Sequence, residues 1–368
     1  MPYTLETLDL LGFRSYKRAY LEFDPRLTIL FGPNAAGKTN IIEALQLLTA
    51  GESFRKPLRQ DLIHWECNQA RASLRAADGS LKRDVELLVT ESTKTTLVNE
   101  KKVRSSYEIS SALPCVVFTP DDLRIVKEPS SRRRQEIDAL GSQLSATYAK
   151  LVSEYRKIIT QRNRLLKDEQ YGTEVFFAWN ERMIEVGVAL AAKRNSLFDH
   201  LVPQVKYFYE GLLDKDQKDQ KDQSLSLRYD SSWGKERSEQ SFRATLDLRA
   251  EDEKTRKQSL IGPHRDDLVF EIGGKPARSF ASQGQQRSIA LAWKLAQLDA
   301  IEEFTQARPL LLLDDVMSEF DQTRRRYLAG LVGDAAQTVI TTANIDYFDK
   351  DLISRAKTIL VPDDIAKA

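Results

Sequence analysis

The 368-residue chain has few cysteines and no long apolar run. Cys67 and Cys115 are the only cysteines, which excludes a disulfide framework and a cysteine metal site. No stretch approaches the ~18 consecutive apolar residues of a membrane span, and the first twenty residues do not resemble a signal peptide. The sequence therefore predicts a cytoplasmic protein that makes no use of a membrane.

A strong net charge is also absent. The 55 Lys and Arg residues nearly balance the 54 Asp and Glu residues, so the formal charge is +1. Such a balance excludes a uniformly basic surface, but a local basic patch can still bind nucleic acid. Hydrophobic residues make up 41% of the chain, enough for a substantial core and two lobes.

A phosphate-binding loop is the clearest motif. Leu27–Phe31 is a short apolar run typical of a strand, Ile41–Leu48 has helical spacing, and the residues between fit G-x-x-x-x-G-K-[ST]. In such a loop backbone N–H groups wrap the phosphates of a nucleotide, while Lys38 reaches the β and γ phosphates and Thr39 holds Mg²⁺. The candidate ATP-binding residues are Gly32, Pro33, Asn34, Ala35, Ala36, Gly37, Lys38, Thr39 and Asn40.

The second motif is an acidic segment. It follows the apolar run Leu310–Leu313, which is typical of a strand buried on both faces. Open α/β sheets bind ligands at the carboxyl ends of such strands, so Asp314 is the candidate Mg²⁺ partner together with Thr39. Asp315 is the candidate base that orients the attacking water, and it is grouped with Lys38 as catalytic.

The stretch SFASQGQQRSIALAW, residues 279–293, places a Ser and a Gly at the start of an apolar helix. A helix N-terminus of this kind can bind an anion. Because the first loop already wraps one side of a triphosphate, a second anion site is most useful on another copy of the chain.

SQGQQR (282–287), followed by LLLLDDVMSEFD, resembles the signature and Walker B segments of ABC-type ATPases, which sandwich two ATP molecules between two heads. The resemblance implies an ATP-dependent homodimer. It gives signature roles in trans to Ser282, Gln283, Gly284 and Gln285, and D-loop roles to Ser318, Glu319 and Asp321.

More narrowly, the chain resembles the RecF family of SMC-like bacterial DNA-repair ATPases. The matching segments, in chain order, are GFRSY, the phosphate loop, SFRKPLRQDLI, FTPDDLRIV, QRNRLL, GPHRDDL, SQGQQR and LLLDDV. They run from residue 12 to residue 321. The resemblance implies recognition of duplex, gapped or junction DNA, recombinase loading, and RecR and RecO as partners.

The predicted fold is an α/β ABC/SMC-type ATPase head built from both chain ends, with an inserted helical lobe. The expected division is 1–118, 119–255 and 256–368. Ile137, Leu144, Leu151, Ile158 and Leu165 recur every seven residues and predict one long helix, and a second apolar face (Phe176, Met183, Val186, Leu190 and Leu197) predicts an antiparallel partner after a turn at 168–172. The lobe is expected either to be only structural or to touch DNA. The polar segment 214–223 is expected to be a solvated loop.

Basic residues after the phosphate-loop helix are the first DNA candidates, since the corresponding place on SMC-type heads faces DNA. They are Arg55, Lys56 and Arg59; Lys101, Lys102, Arg104 and 132–134 are further candidates, whereas 324–326 are expected to serve a dimer interface or a helix surface. His264, with Arg265, Asp266 and Asp267 of GPHRDDL, is expected to be structural or to lie at an interface.

Four positions depart from the ABC or RecF pattern. Ala35 replaces a Gly, so a positive φ there would be strained; Thr119 stands where transporter-type ATPases have a Gln, Thr342 and Ala343 where they have a His, and Asp315 is one methylene shorter than the usual Glu. Slow hydrolysis is expected. Two alternatives stay open: a structural SMC-like DNA clamp with a vestigial ATPase, and a transporter's nucleotide-binding subunit.

Overall fold

The computed structural model describes residues 3–79, 81–110, 113–213, 223–331 and 337–365. It divides into two compact units, residues 1–123 with 293–368 and residues 124–292. The polar segment expected to be a loop lies, apart from Gln223, outside the described residues. Among the described helices none has the length and apolar content needed to span a bilayer.

The first unit contains two sheets. The antiparallel sheet has the strand order β2-β1-β4-β5-β6-β7, with β1 (Thr4–Phe13), β2 (Tyr16–Glu22), β4 (Gln69–Asp78), β5 (Leu81–Thr90), β6 (Lys94–Val98) and β7 (Lys101–Val103). The parallel sheet has the order β14-β3-β13-β12-β8, with β3 (Leu27–Phe31), β8 (Cys115–Phe118), β12 (Leu310–Asp314), β13 (Gln337–Thr342) and β14 (Lys357–Leu360). Strands from both chain ends therefore belong to one parallel sheet, as expected for a head built from both ends.

The core of this unit lies around α1 (Lys38–Ala50), which contacts both sheets. Ile41, Leu45 and Leu48 are fully buried against the strands, and even the polar side chains Glu43 and Thr49 are inaccessible. A helix that is buried on nearly all sides is held by packing rather than by an amphipathic face. The remaining helices of the unit are α2 (Ser106–Ser110), α10 (Gln322–Leu331) and α11 (Lys350–Arg355).

The second unit is mainly helical. Its helices are α3 (Ser130–Leu144), α4 (Ala146–Lys167), α5 (Glu174–Gly211), α6 (Glu239–Leu248), α7 (Ala250–Arg256) and α8 (Ala277–Phe280), and its sheet has the order β11-β10-β9 with β9 (Leu225–Asp230), β10 (Asp267–Ile272) and β11 (Lys275–Pro276). The long helix α9 (Gln283–Thr305) contains the boundary between the two units.

The predicted long helix across residues 137–165 is wrong as one element, because α3 ends at Leu144 and α4 begins at Ala146. Ser145 is extended, and its side chain accepts a hydrogen bond from the N–H of Tyr148, which caps α4. A Cβ on Gly141 would lie 2.6 Å from the Tyr148 ring, so glycine permits this close corner. The antiparallel pairing is as predicted: α4 packs on α5, and the second apolar face is buried.

The second expected domain boundary also differs from the observed division. Residues 256–292 were expected in the ATPase head, but β10 pairs with β9 along six residues and places this segment in the helical unit. Such pairing joins residues about 40 positions apart and leaves no local pattern in the sequence. The phosphate loop and Asp314 thus lie in one unit, and residues 282–292 in the other.

Candidate nucleotide site

The phosphate loop connects β3 to α1 through three residues with positive φ: Gly32 at 150°, Ala35 at 64° and Gly37 at 100°. Side chains at the two glycines would clash, since a Cβ on Gly32 would lie 2.2 Å from the Val361 carbonyl oxygen and one on Gly37 would lie 2.5 Å from the Tyr16 hydroxyl. Ala35 does have a positive φ, the conformation that was expected to be strained without a glycine, and an L-residue there costs about 1–2 kcal/mol. The loop is therefore held in an anion-binding conformation at the expense of local strain.

Lys38 is the buried cation of the loop. Its ammonium donates to the carbonyl oxygens of Gly32 and Pro33, both at 2.8 Å. Burial lowers the pKa of Lys38, and the carboxylates of Asp315 and Asp314 oppose this shift. Lys38 therefore lies between the loop carbonyls and the acidic pair.

The phosphate loop and the acidic segment after β12 meet at the carboxyl edge of the parallel sheet. The Thr39 hydroxyl donates to Asp314 Oδ1 at 3.0 Å, and the Thr341 hydroxyl at the end of β13 donates to the same oxygen at 2.8 Å. Burial raises the pKa of the Asp314 carboxyl, while these two hydrogen bonds lower it. A hydroxyl and a carboxylate oxygen at this edge are the hard ligands that Mg²⁺ prefers, so the donor set fits that ion.

Asp315 has a left-handed backbone, with φ 52° and ψ 20°. Its N–H donates to the Thr341 hydroxyl at 3.0 Å, and within the described residues its buried Oδ1 has no hydrogen-bond partner. Burial raises the pKa of the Asp315 carboxyl, while the backbone N–H of Ala343 and the Lys38 ammonium lower it. A buried acceptor without a hydrogen-bond donor lowers the stability of the folded chain unless a ligand or a water donates to it.

A cavity of about 240 Å³ joins these groups. Its lining brings together a loop that can bind phosphate, one cation beyond the loop and the acidic strand end. The lining residues are Asn34, Ala35, Gly37, Lys38, Thr39, Asn40, Arg55, Asp315 and Thr341.

The predicted signature residues begin α9 with reciprocal hydrogen bonds. The Ser282 hydroxyl accepts from the Gln285 N–H at 3.2 Å, and Gln285 Oε1 accepts from the Ser282 N–H at 2.7 Å. This capping box leaves the proton of the exposed Ser282 hydroxyl available for a further acceptor. Gln283, which is exposed, and Gly284, which is half-buried, complete this first turn.

The predicted D-loop follows β12 directly. The Ser318 hydroxyl donates to the Asp315 carbonyl at 2.7 Å, Glu319 is half-buried, and Asp321 accepts the N–H of Arg324 at 2.9 Å and pairs with its guanidinium. Ser318 thus fixes the segment that carries Asp315. Arg324 is engaged at the start of α10 on the helix surface, one of the two places expected for it.

Comparison with known proteins decides the family. The chain matches the model of the RecF/RecN/SMC N-terminal domain over residues 4–359. It is 33% identical over 362 residues to the DNA replication and repair protein RecF of Heliobacterium modesticaldum, covering 96% of this chain and 95% of that one. It is 32% identical over 362 residues to the protein of the same name from Bacillus velezensis, covering 96% of each chain.

The chain belongs to the RecF family. Its structure is similar to that of the recombination mediator protein RecF with ATP in the RecFOR pathway, with a TM-score of 0.85, 28% identity and coverage of 95% of this chain and 94% of that one. The Smc head domain of Pyrococcus furiosus shares the fold at 17% identity and a TM-score of 0.54, over 99% of this chain and 95% of that one. The ABC/SMC-type head predicted from the motifs is confirmed, and the transporter alternative loses its support.

Arg55, one of the expected DNA contacts, lies at the nucleotide cavity of this RecF-family chain. Its Nη1 donates to Asn40 Oδ1 at 2.8 Å and lies 3.4 Å from Glu43 Oε2, and the guanidinium lines the cavity. Glu43 is inaccessible and also accepts two hydrogen bonds from Arg14 and one from Ser53. Arg55 is therefore a candidate nucleotide contact. The sequence motif did not predict this role, because Arg55 lies 15 residues after Asn40 and outside the phosphate loop.

The other two DNA candidates in that segment differ from Arg55. Arg59 Nη1 donates to the carbonyl of Ser92 at 2.6 Å, which ties the segment to the turn between β5 and β6. Lys56 is exposed and has a positive φ of 49°. Neither lines the cavity.

The two threonines at the γ-phosphate-sensor positions of ABC ATPases are already engaged. The Thr119 N–H and hydroxyl both donate to Asp122 Oδ2, at 2.8 and 3.0 Å. The Thr342 hydroxyl donates to the Asn344 carbonyl at 2.9 Å. Beyond the loop the cavity is lined by Arg55, Asp315 and Thr341, of which Arg55 and Asp315 carry charges that respond to a γ-phosphate.

GPHRDDL is a structural hub of the helical unit. The Tyr155 hydroxyl lies 3.1 Å from His264 Nδ1, and His264 Nε2 lies 3.0 Å from the Ser259 carbonyl oxygen, which can only accept. His264 is therefore neutral, with its proton on Nε2 and Nδ1 accepting from Tyr155. Arg265 also donates to that carbonyl, Asp266 accepts from Tyr229 and Ser232, and Asp267 pairs with Arg133.

Proposed function

We propose that this chain is a Mg²⁺-dependent ATPase of DNA replication and recombinational repair whose ATP-bound dimer binds DNA. The observation that carries the proposal is the open, buried Asp315 Oδ1 beside Lys38 and the Thr39–Asp314 pair, in a cavity walled by a phosphate loop. Family membership supports the biological setting, because the relatives named above are DNA replication and repair proteins.

The nucleotide is held by the loop. The Lys38 ammonium exchanges its two carbonyl acceptors for phosphate oxygens and neutralises their charge, while Arg55 supplies a second cation in the cavity lining. Thr39 and Asp314 would hold Mg²⁺, which supplies further neutralisation of the phosphates.

Asp315 supports hydrolysis. Its open Oδ1 accepts a hydrogen bond from a water and orients that water for attack on the γ-phosphorus, so that the bond to the β-phosphate breaks in line and ADP leaves. The left-handed backbone of Asp315 is held by Thr341 and by Ser318, which fixes the carboxylate. Because the side chain is one methylene shorter than the Glu usual in ABC ATPases, turnover is slow.

The signature segment acts on a second copy of the chain. The Ser282 hydroxyl proton and the backbone of Gly284 contact the γ-phosphate held by the partner, with Gln283 and Gln285 beside them and the D-loop residues along the interface. ATP therefore joins two heads, and hydrolysis separates them. DNA affinity follows the dimer, with a coupling of about 1–3 kcal/mol, and RecR and RecO act with it in loading recombinase in the cytoplasm.

Phosphate release measured with and without Mg²⁺ and with and without gapped duplex tests the ATPase part. We expect slow release that requires Mg²⁺ and rises with DNA, and none from Lys38→Ala, which should also lose ATP binding. A chain whose turnover does not respond to DNA would instead be a structural clamp with a vestigial ATPase. Retained ATP affinity in Lys38→Ala would refute the loop assignment.

A further inference from the structure

Helix α4 has an unusual charge for a chain that is nearly neutral overall. Its 22 residues, ATYAKLVSEYRKIITQRNRLLK, contain six cations and one carboxylate. The partner helix α5 contains four cations and five carboxylates. The excess of positive charge is thus specific to one arm of the helical hairpin.

The cations of α4 are segregated from its buried face. Tyr148, Val152, Tyr155, Ile158 and Leu166 are buried, as is Arg162, which pairs with Glu253. The remaining five cations are all exposed: Lys150, Arg156, Lys157, Arg164 and Lys167.

Three of these exposed cations form a straight line. Lys150, Lys157 and Arg164 are seven residues apart, so each is rotated by only about 20° from the previous one and they lie about 10 Å apart along the axis. Together with Lys167 they extend over about 25 Å, the length of about seven base pairs of duplex. We refer to Lys150, Lys157, Arg164 and Lys167 as the α4 stripe.

Carboxylates do little to neutralise the α4 stripe. Within the described part of the chain neither Lys150 nor Lys157 has an ion-pair partner, and Arg164 meets Asp168 at 3.7 Å where both side chains are largely exposed. Such exposed pairs are weak. The single acid of the helix, Glu154, is bonded to Arg182 of α5.

We propose that the α4 stripe is a binding surface for the phosphate backbone of duplex DNA. A row of cations on a rigid helix complements a line of phosphates, and it positions a duplex without reading its sequence. The inference rests on the proposed function, which requires DNA binding, and it assigns that binding to a surface of the helical unit. It also gives this lobe a role other than a purely structural one.

The salt dependence of DNA binding tests the α4 stripe. The triple variant Lys150→Gln, Lys157→Gln, Arg164→Gln removes three cations with side chains that suit a helix. Affinity for a fluorescent 30-base-pair duplex with ATP is measured from 0.05 to 0.3 M salt. We expect the negative slope of log K against log salt to become shallower by about 2.7 and the affinity at 0.1 M salt to fall more than tenfold.

A charge-matched control removes three other exposed cations: Lys193→Gln, Lys235→Gln and Lys350→Gln. It should keep the wild-type slope, and both variants should bind ATP and melt like the wild type. An unchanged slope in the α4 variant, or an equal change in the control, overturns the inference. If the wild-type chain binds ATP but no DNA, the proposed function itself is contradicted. A result confined to the α4 variant bears only on the α4 stripe and leaves the proposed function standing.

Discussion

The Thr39 hydroxyl donates a 3.0 Å hydrogen bond to the carboxylate of Asp314, across 275 residues of sequence. It links the first turn of α1 to the end of β12, in the sheet where β13 and β3 are paired neighbours. Because each chain end supplies one half of the site, the nucleotide cavity can form only when both ends have folded together. The inserted helical unit must therefore return the chain to the same sheet.

Arg55 is expected to act on the nucleotide. Arg55→Ala should weaken ATP binding about 10- to 100-fold, because a charge-assisted contact in the cavity wall is lost. Titration of ATP and ADP by calorimetry measures the change. Lys56→Ala, one residue away and outside the cavity, should leave ATP affinity unchanged, and equal ATP affinity in Arg55→Ala would return Arg55 to the DNA candidates.

Ala35 offers a test of backbone strain. Ala35→Gly should relieve the cost of a positive φ of 64°. Glycine also raises the conformational entropy of the unfolded chain, which offsets part of this gain, so the net stabilisation should be between zero and about 1 kcal/mol. Ala36→Gly, the adjacent control outside the positive-φ set, should destabilise by about 0.5–1 kcal/mol. Urea unfolding measures the stability of both variants. If Ala35→Gly lost more stability than Ala36→Gly, the backbone at Ala35 would not be strained.

His264 should make the helical unit sensitive to acid. Burial is the main cause that lowers the pKa of His264 from 6.5 to about 3. The hydrogen bond to the Ser259 carbonyl raises this pKa, and the charges of Arg265, Arg134 and Arg162 lower it further. Since the unfolded chain takes up the proton first, stability is lost as the pH falls below about 6.5, by at most about 1.4 kcal/mol per unit and until about pH 3.

The comparison of wild type with His264→Gln isolates that dependence. Between pH 7 and pH 5 the wild type should lose about 2 kcal/mol more unfolding free energy than the variant. Urea unfolding at the two pH values measures this difference. Parallel losses in the two proteins would show that His264 is not held neutral.

Local patterns were enough to predict the elements that carry the candidate site residues. The glycine spacing before Lys38, the apolar run before Asp314 and the polar start of α9 each depend on residues close together in sequence. What these motifs did not give is the side-chain environment of Arg55, because its contacts with Asn40 and Glu43 depend on how the segment after α1 folds back.

Longer-range features of the fold were harder to predict. The heptad from Ile137 to Leu165 continues across Ser145, so periodicity alone could not show that α3 ends there, although a serine before a helix is a capping signal. The pairing of β9 with β10 is likewise a tertiary event, and it places residues 256–292 in the helical unit.

The central claim is that Ser282 closes on the γ-phosphate held by a second copy. Sedimentation of the Asp315→Asn protein, which should bind ATP without turning it over, measures the mass with ATP, with ADP and with no nucleotide. We predict a dimer with ATP alone, and a monomer with ATP when Ser282→Arg is added although ATP still binds. A monomer in all three conditions, or a dimer that survives Ser282→Arg, would contradict the account.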